Sequence, residues 1–283
     1  MGTPETVIVG IPCCHHTTRT LIFDAKGNLY VSCGSGSNVD PNSSHARIMR
    51  FSVGNIPQGG LNWTTGLLFA DGLRNEVGLS FDAQDRLWGV ENGVDDLYRA
   101  DLGGDIHTNN PSEEVNLFDV PSKFYGYPYC WTEYDLPKFG KGRGSQWVHN
   151  NFINDGVHSD AWCSDTNNVV RPKWSMSAHQ APLDIQFYYG TQLPSFPPGG
   201  AFVALHGSWD RQPPAGYKII YLSFDGGVPV GEVDVLKYNG NGAPWPNSVR
   251  PVNVVVKACG DAKECLFVTS DDSGEIIQIS YIG

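Results

Sequence analysis

The strongest constraint on this chain is a unit that recurs along it. Residues 20–32 (TLIFDAKGNLYVS) and 78–90 (GLSFDAQDRLWGV) share an apolar strand, an Asp-containing turn and an alternating strand, so each reads as a β-hairpin. A charged strand follows each hairpin, at 46–53 (ARIMRFSV) and 96–101 (DLYRAD), and then an apolar one, at 67–71 (LLFAD) and 115–120 (VNLFDV). A third unit repeats the scheme at 185–189, 201–205, 218–224 and 233–238, and the last, at 252–256, 265–269 and 275–281, has three strands. A small sheet of this kind cannot bury both faces alone, and a series of four-stranded units that pack on one another is the pattern of a β-propeller. The expected fold class is all-β, a β-propeller.

A chain of 283 residues is long enough for one large β domain, and the high Gly and Pro counts (33 and 19) with only 17% charged residues suit many short strands and tight turns. The segment 6–11 (TVIVGI) resembles the fourth strands of the units. Either it completes the last unit and closes a small ring, or the chain is the C-terminal portion of a larger propeller. The second is favoured, because a ring of about four blades is the lower limit for the architecture. The expected organisation is a single propeller domain over 1–283, interrupted by a long loop insertion at about 121–177.

A net charge of -11 argues against nucleic acid or an anionic membrane as partner, and no apolar run reaches membrane-spanning length. Seven cysteines and two sequons, Asn42-Ser43-Ser44 and Asn62-Trp63-Thr64, point to a secreted, extracellular glycoprotein, although no signal peptide is present in MGTPETVIVG. Spacing suggests a Cys259–Cys265 staple and a Cys130–Cys163 closure of the insertion; Cys13, Cys14 and Cys33 leave an odd thiol. Within the insertion, Tyr125, Tyr127, Tyr129, Trp131 and Trp147 either line a sugar-binding rim or pack the loop onto the propeller.

The stretch 201–219 (AFVALHGSWDRQPPAGYKI) gathers His206, Trp209, Asp210 and Arg211 just after a buried strand, where the chain leaves a sheet and can face a ligand. Together with GLRNEVGLSFD (72–82), ENGVDD (91–96), YGYPYCW (125–131), AHQAPLDIQFY (178–188) and IPCCHHTTRTL (11–21), it resembles the soluble pyrroloquinoline quinone (PQQ)-dependent sugar dehydrogenases of the sorbosone and glucose dehydrogenase group, and most the fungal pyranose dehydrogenases. That resemblance implies a six-bladed propeller, of which this chain covers roughly four to five blades, with PQQ and Ca2+ in a cleft at one end of the axis. It implies oxidation of the anomeric or adjacent hydroxyl of a pyranose, with electrons passed to an external acceptor such as a cytochrome.

The resemblance also assigns roles. His16 is the general base, with His15 as the alternative one residue away. Arg74 and Asn75 match the family's Arg-Asn pair at the cofactor, and Arg19, His206, Trp209, Arg211 and Arg250 complete the cofactor-binding set. Gly93 and Val94 offer backbone carbonyls to Ca2+. These types fit the chemistry: a planar tricarboxylate needs guanidinium groups and flat surfaces, a neutral imidazole suits removal of a hydroxyl proton, and carbonyl oxygens suit a hard cation. Two other classes stay open: a Ca2+-dependent propeller lactonase, which needs acidic side chains converging on the ion, and a non-catalytic sugar-binding or scaffold propeller or inactive fragment.

Overall fold

The computed structural model describes residues 3–12, 15–238, 249–260 and 263–281, and its regular structure is almost wholly β. The first sheet is an antiparallel meander of Leu21–Phe23, Asn28–Cys33, Arg47–Ser52 and Leu67–Asp71, with Lys123–Phe124 of the insertion added parallel to the last. The second runs Glu76–Phe81, Leu87–Glu91, Glu113–Phe118 and Trp174–Met176. The third runs Pro182–Phe187, Ala201–Leu205, Lys218–Asp225 and Val228–Lys237. The fourth contains Pro251–Ala258, Glu264–Ser270 and Glu275–Ser280. No helix among the described residues is long and apolar enough to cross a membrane.

The sheets pack in chain order, and the layers between them are the core. Tyr30, Ile48, Leu79 and Leu87 fill the space between the first and second sheets. Trp88, Val115, Val203 and Ile220 fill the next, and Phe202, Tyr221, Val254 and Leu266 the last. The leading strands of the second, third and fourth sheets lie side by side. At that inner line the backbones nearly touch, since a Cβ on Gly78 would sit 2.7 Å from the Cα of Asp184. On the sides turned away from this series, the end sheets expose Leu21, Phe23 and Ile276.

The second unit departs from the sequence expectation. Residues 96–101 supply no blade strand: Tyr98–Arg99 pairs with Gly104–Asp105 in a short ribbon turned at Gly103 and Gly104, both at positive φ. The segment expected as the fourth strand is the third, and Trp174–Met176 is the fourth. Burial explains the exchange. Glu113–Phe118 is buried along its whole length and must satisfy both edges, whereas Arg99 spends its guanidinium outside the sheet, donating to Asp101 beside it and to Asp160 and the Val148 carbonyl of the insertion. The insertion therefore lies inside the second unit, not between the second and third.

Nor is the insertion structureless. Cys130–Thr132 pairs with Gln146–Val148, a short helix spans Asp160–Ser164, and a Cys130–Cys163 disulfide closes the segment, as spacing suggested. The second expected disulfide, Cys259–Cys265, is also present. Cys33 is buried, and Cys13 and Cys14 lie outside the described residues. Tyr125, Tyr127, Trp131 and Trp147 are buried and Tyr129 stacks on His158, so these aromatics pack the insertion and form no rim. The N-terminal segment adds no fourth strand to the last sheet: Ile8–Val9 pairs with Leu61–Asn62 and covers the outer face of the first sheet.

Candidate functional site

Three loops at one end of the first two sheets are tied together. The chain leaves Asn28–Cys33 at Gly34, where a Cβ would come 2.6 Å from the Cβ of His16 and 2.8 Å from Oδ1 of Asn75, so only glycine allows both side chains their places. Ser35 N donates to the Arg74 carbonyl at 2.8 Å, and Asn92 N to the Asn75 carbonyl at 3.2 Å. His16 N donates to the Ser35 carbonyl at 3.1 Å.

These contacts fix the imidazole. The Ser35 hydroxyl donates to the Ser37 carbonyl at 2.7 Å, so at 2.9 Å it accepts from His16 Nδ1. The neutral ring then carries its proton on Nδ1 and its lone pair on Nε2. Burial first, then the Arg74 guanidinium, lowers the pKa of His16 to about 4.

Arg74 is buried ahead of the strand Glu76–Phe81, and it pairs with Asp95 at 2.6 Å. Its Nη2 also donates to Asn38 Oδ1 at 3.0 Å. Asp95 belongs to a second cluster, in which ligand-type atoms of Asp95, His179 and Asp210 all lie within 4.8 Å of one another. His179 Nε2 donates to the His107 carbonyl at 2.6 Å, which leaves the Nδ1 lone pair on the side of Asp210, 3.9 Å from its Oδ2. A histidine oriented by a carbonyl on its far nitrogen is the usual arrangement behind a metal. Asp96 N holds Asp210 Oδ2 at 2.8 Å, and burial pushes the Asp210 carboxyl up. Glu113, buried, accepts from Gly93 N at 2.8 Å and Ala181 N at 3.0 Å, joining the second and third sheets. Asp96, His179 and Ala181 all adopt positive φ, an uncommon concentration of backbone strain at one site.

Both groups face one cavity of about 170 Å3. Of the residues expected from sequence, His16, Arg74, Asn75, Gly93 and Trp209 line it, as does His15. Val94 is buried against Leu97 and Trp131 in the adjoining core. The remaining four lie behind the wall. Arg19 donates to the carbonyls of Pro12, His16 and Thr18 and braces the segment that carries His16. Arg250 donates to the carbonyls of His206 and Gly207, over the Tyr217 ring. His206 meets Asp271 at 2.9 Å, and Arg211 donates to Ser177 Oγ and the Ala178 carbonyl.

The sequence pattern places Asp210 in a ligand-facing loop but assigns it no partner, and it singles out neither His179 nor Glu113 and gives Asp95 no place in the site. The motif that carries His179 was visible, but its neighbours come from 31 or more residues away in sequence and meet it only through the packing of sheets.

A family model described as TrAA12-like matches residues 1–281. The PQQ-dependent pyranose dehydrogenase of Coprinopsis cinerea is 33% identical over 97% of this chain and 41% of its own length, so the chain spans about two-fifths of that relative. The holo form of the pyranose dehydrogenase PQQ domain from Coprinopsis cinerea superposes with a TM-score of 0.83 at 31% identity, covering 98% of this chain and 73% of that one. The calcium structure of the Trichoderma reesei family AA12 enzyme gives 0.81 at 29% identity, covering 98% and 71%.

Proposed function

The chain belongs to the TrAA12-like family, and on that premise we propose that it forms the cofactor pocket of a Ca2+-assisted, PQQ-dependent pyranose dehydrogenase. The observation that carries this reading is the convergence of His16, Arg74 and Asn75, from separate segments, with Asp95, His179 and Asp210 on one cavity. The donor set fits both groups. A guanidinium and an amide at the wall suit a carboxylate-rich quinone, and Trp209, 73% exposed, offers a flat face. The Asp95 and Asp210 carboxylates suit Ca2+, to which the carbonyls of Gly93 and Val94 would add further hard oxygens, with His179 beside them as a neighbour and not a ligand.

When bound, PQQ supplies the two-electron acceptor and Ca2+ polarises it. The chain's own residues do the rest. Nε2 of His16 takes the proton of the anomeric or adjacent hydroxyl as the C–H bond breaks, and Ser35 holds the ring in the tautomer that makes this possible. Arg74 holds anionic groups, with Asp95 keeping its fork in register. Arg19, Arg211, His206 and Arg250 act as braces for the segments that carry the lining residues. An external acceptor, such as a cytochrome, would then reoxidise the site.

The four sheets fit into a six-bladed ring, with further blades covering Leu21, Phe23 and Ile276, and the domain is one propeller with an insertion. A secreted glycoprotein is supported by two disulfides and by the two sequon asparagines, both exposed and held in Asx turns that present them to solvent. The Asp95–His179–Asp210 set also suits a metal-dependent lactonase, a rival that dispenses with PQQ.

The test is a spectroscopic titration of the chain with PQQ, with and without Ca2+, followed by a pyranose and a dye acceptor. Saturable Ca2+-dependent binding, with dye reduction that falls at least 100-fold in His16→Ala, is expected. Lactone hydrolysis with Ca2+ alone would overturn the reading in favour of the rival, and PQQ binding unaffected by Arg74→Ala would remove the pocket from it.

A further inference from the structure

A second cavity, of about 340 Å3, opens between the ribbon that ends at Asp105 and the loop 135–139 of the insertion. Its size falls in the range of ~300–1,000 Å3 typical of small-molecule sites. Its two walls are pinned from beneath. Asn110, 1% exposed, donates from Nδ2 to the Asp135 carbonyl at 2.7 Å and accepts from Tyr134 N at 2.9 Å and Asp135 N at 3.2 Å. Asn109 Nδ2 reaches across to Asp135 Oδ2 at 3.3 Å. The groove is thus shaped before any ligand arrives, which lowers the cost of binding.

We propose that this groove is a saccharide-binding subsite that holds the outer sugar units of a neutral oligosaccharide. The partly exposed ring of Phe139, with Lys138 Nζ 5.0 Å from its centroid, and the buried Leu102 and Leu136 beneath it supply the apolar part of the lining, while Asp105, which also holds the His107 ring, Asn109 and Lys138 supply acceptors and donors around it. A pyranose matches that pattern, because its ring has C–H faces and its edge carries hydroxyls that both donate and accept. An anionic ligand would meet Asp105 and Asp135, and a wholly apolar one would strip water from them with no replacement. The groove also shares a wall with the candidate site. In the turn 107–109, the His107 carbonyl accepts a hydrogen bond from His179 Nε2, whereas Thr108 and Asn109 face the groove. A sugar there sits one turn of backbone from the pocket. The choice of a carbohydrate ligand rests on the proposed function; the location of the groove does not.

The experiment is a titration of the 283-residue chain with neutral gluco- and xylo-oligosaccharides of two to four units, read by calorimetry and by 1H–15N shifts, alongside dye reduction on the monosaccharide and the trisaccharide. Saturable binding is expected, weakened at least 10-fold by Phe139→Ala and by Asp105→Asn, with Phe139→Ala changing monosaccharide oxidation less than 2-fold and raising the trisaccharide KM at least 5-fold. Monosaccharide oxidation without groove-dependent oligosaccharide binding overturns the subsite and leaves the catalytic reading intact. Groove-dependent binding without PQQ-dependent oxidation supports the subsite and sinks the catalytic reading. Spermine binding that competes at the same shifts identifies the groove as a polyamine site and overturns the inference.

Discussion

His16 and its immediate neighbours define the site at the scale of the residue. Ser35 sets the tautomer, and burial with the Arg74 guanidinium keeps the ring neutral far below its usual range, with a pKa of about 4. The sign follows: a depressed histidine favours the neutral form in the folded chain, so protonation as pH falls toward 4 opposes folding, and the base is available at neutral pH. A 1H NMR titration of the His16 ring should give a midpoint near 4. In Arg74→Ala, where one positive neighbour is removed, the midpoint should rise toward 6.5, the value of an unperturbed imidazole. A midpoint that stays put would mean that Arg74 does not act on His16. The residue scale also shows what the guanidinium groups of the expected segments touch. Arg19, Arg211 and Arg250 stand in the expected segments, but each spends its guanidinium on backbone carbonyls.

At the scale of the element, the second sheet holds an unusual charge. Glu76, Glu91 and Glu114 are buried side by side on its first three strands, and the Nδ2 of Asn116 lies within 3.1–3.3 Å of all three. Glu91 also accepts from Arg74 N, and Glu114 from Thr132 Oγ1. With one amide among three carboxyls, protons must make up the difference, and burial raises all three, Glu114 to about 7. An acid raised in the folded state contributes stability that is present below its unfolded pKa of about 4.5 and lost as pH rises through 7. For Glu114 the loss amounts to roughly 3 kcal/mol. Because His16 and His149 change stability in the opposite direction over the same interval, the test is the comparison of urea melts at pH 5 and pH 8 between the wild type and Glu114→Gln: the variant, which cannot ionise, should lose less stability as pH rises. An equal slope in the variant would place the proton elsewhere. The device matters to the site because Glu91 anchors the backbone of Arg74.

For the whole molecule, the inner line where sheets meet is the common support. Gly78 of the second sheet lies against Asp184 of the third, and Asp184 Oδ2 accepts from Asn253 Nδ2 at 2.6 Å and Val254 N at 2.9 Å of the fourth. Gly78→Ala would put a methyl 2.7 Å from a backbone atom that cannot swing aside. Overpacking of this kind costs about 1–3 kcal/mol. A thermal melt should show that loss, and Asn75 and Trp209 signals should shift together, since the second and third sheets carry opposite parts of the pocket. A melt within half a degree of the wild type would mean that the sheets can part at this line without cost.

Local pattern was enough for the repeat, the four-strand grammar of the first and third units, both disulfides and most of the lining segments, because hairpins, turns and short loops are fixed by neighbours in sequence. The second unit was misassigned because residues 96–101 and 113–118 are both strand-like, and which of them joins the sheet depends on what else competes for their edges. The aromatics of the insertion could not reveal their own burial, nor could His179 announce that Asp95 and Asp210 would come to it from two different sheets. Strand identity is written in periodicity; a site assembled across sheets exists only once packing has brought distant carboxylates, imidazoles and carbonyls within a few ångströms.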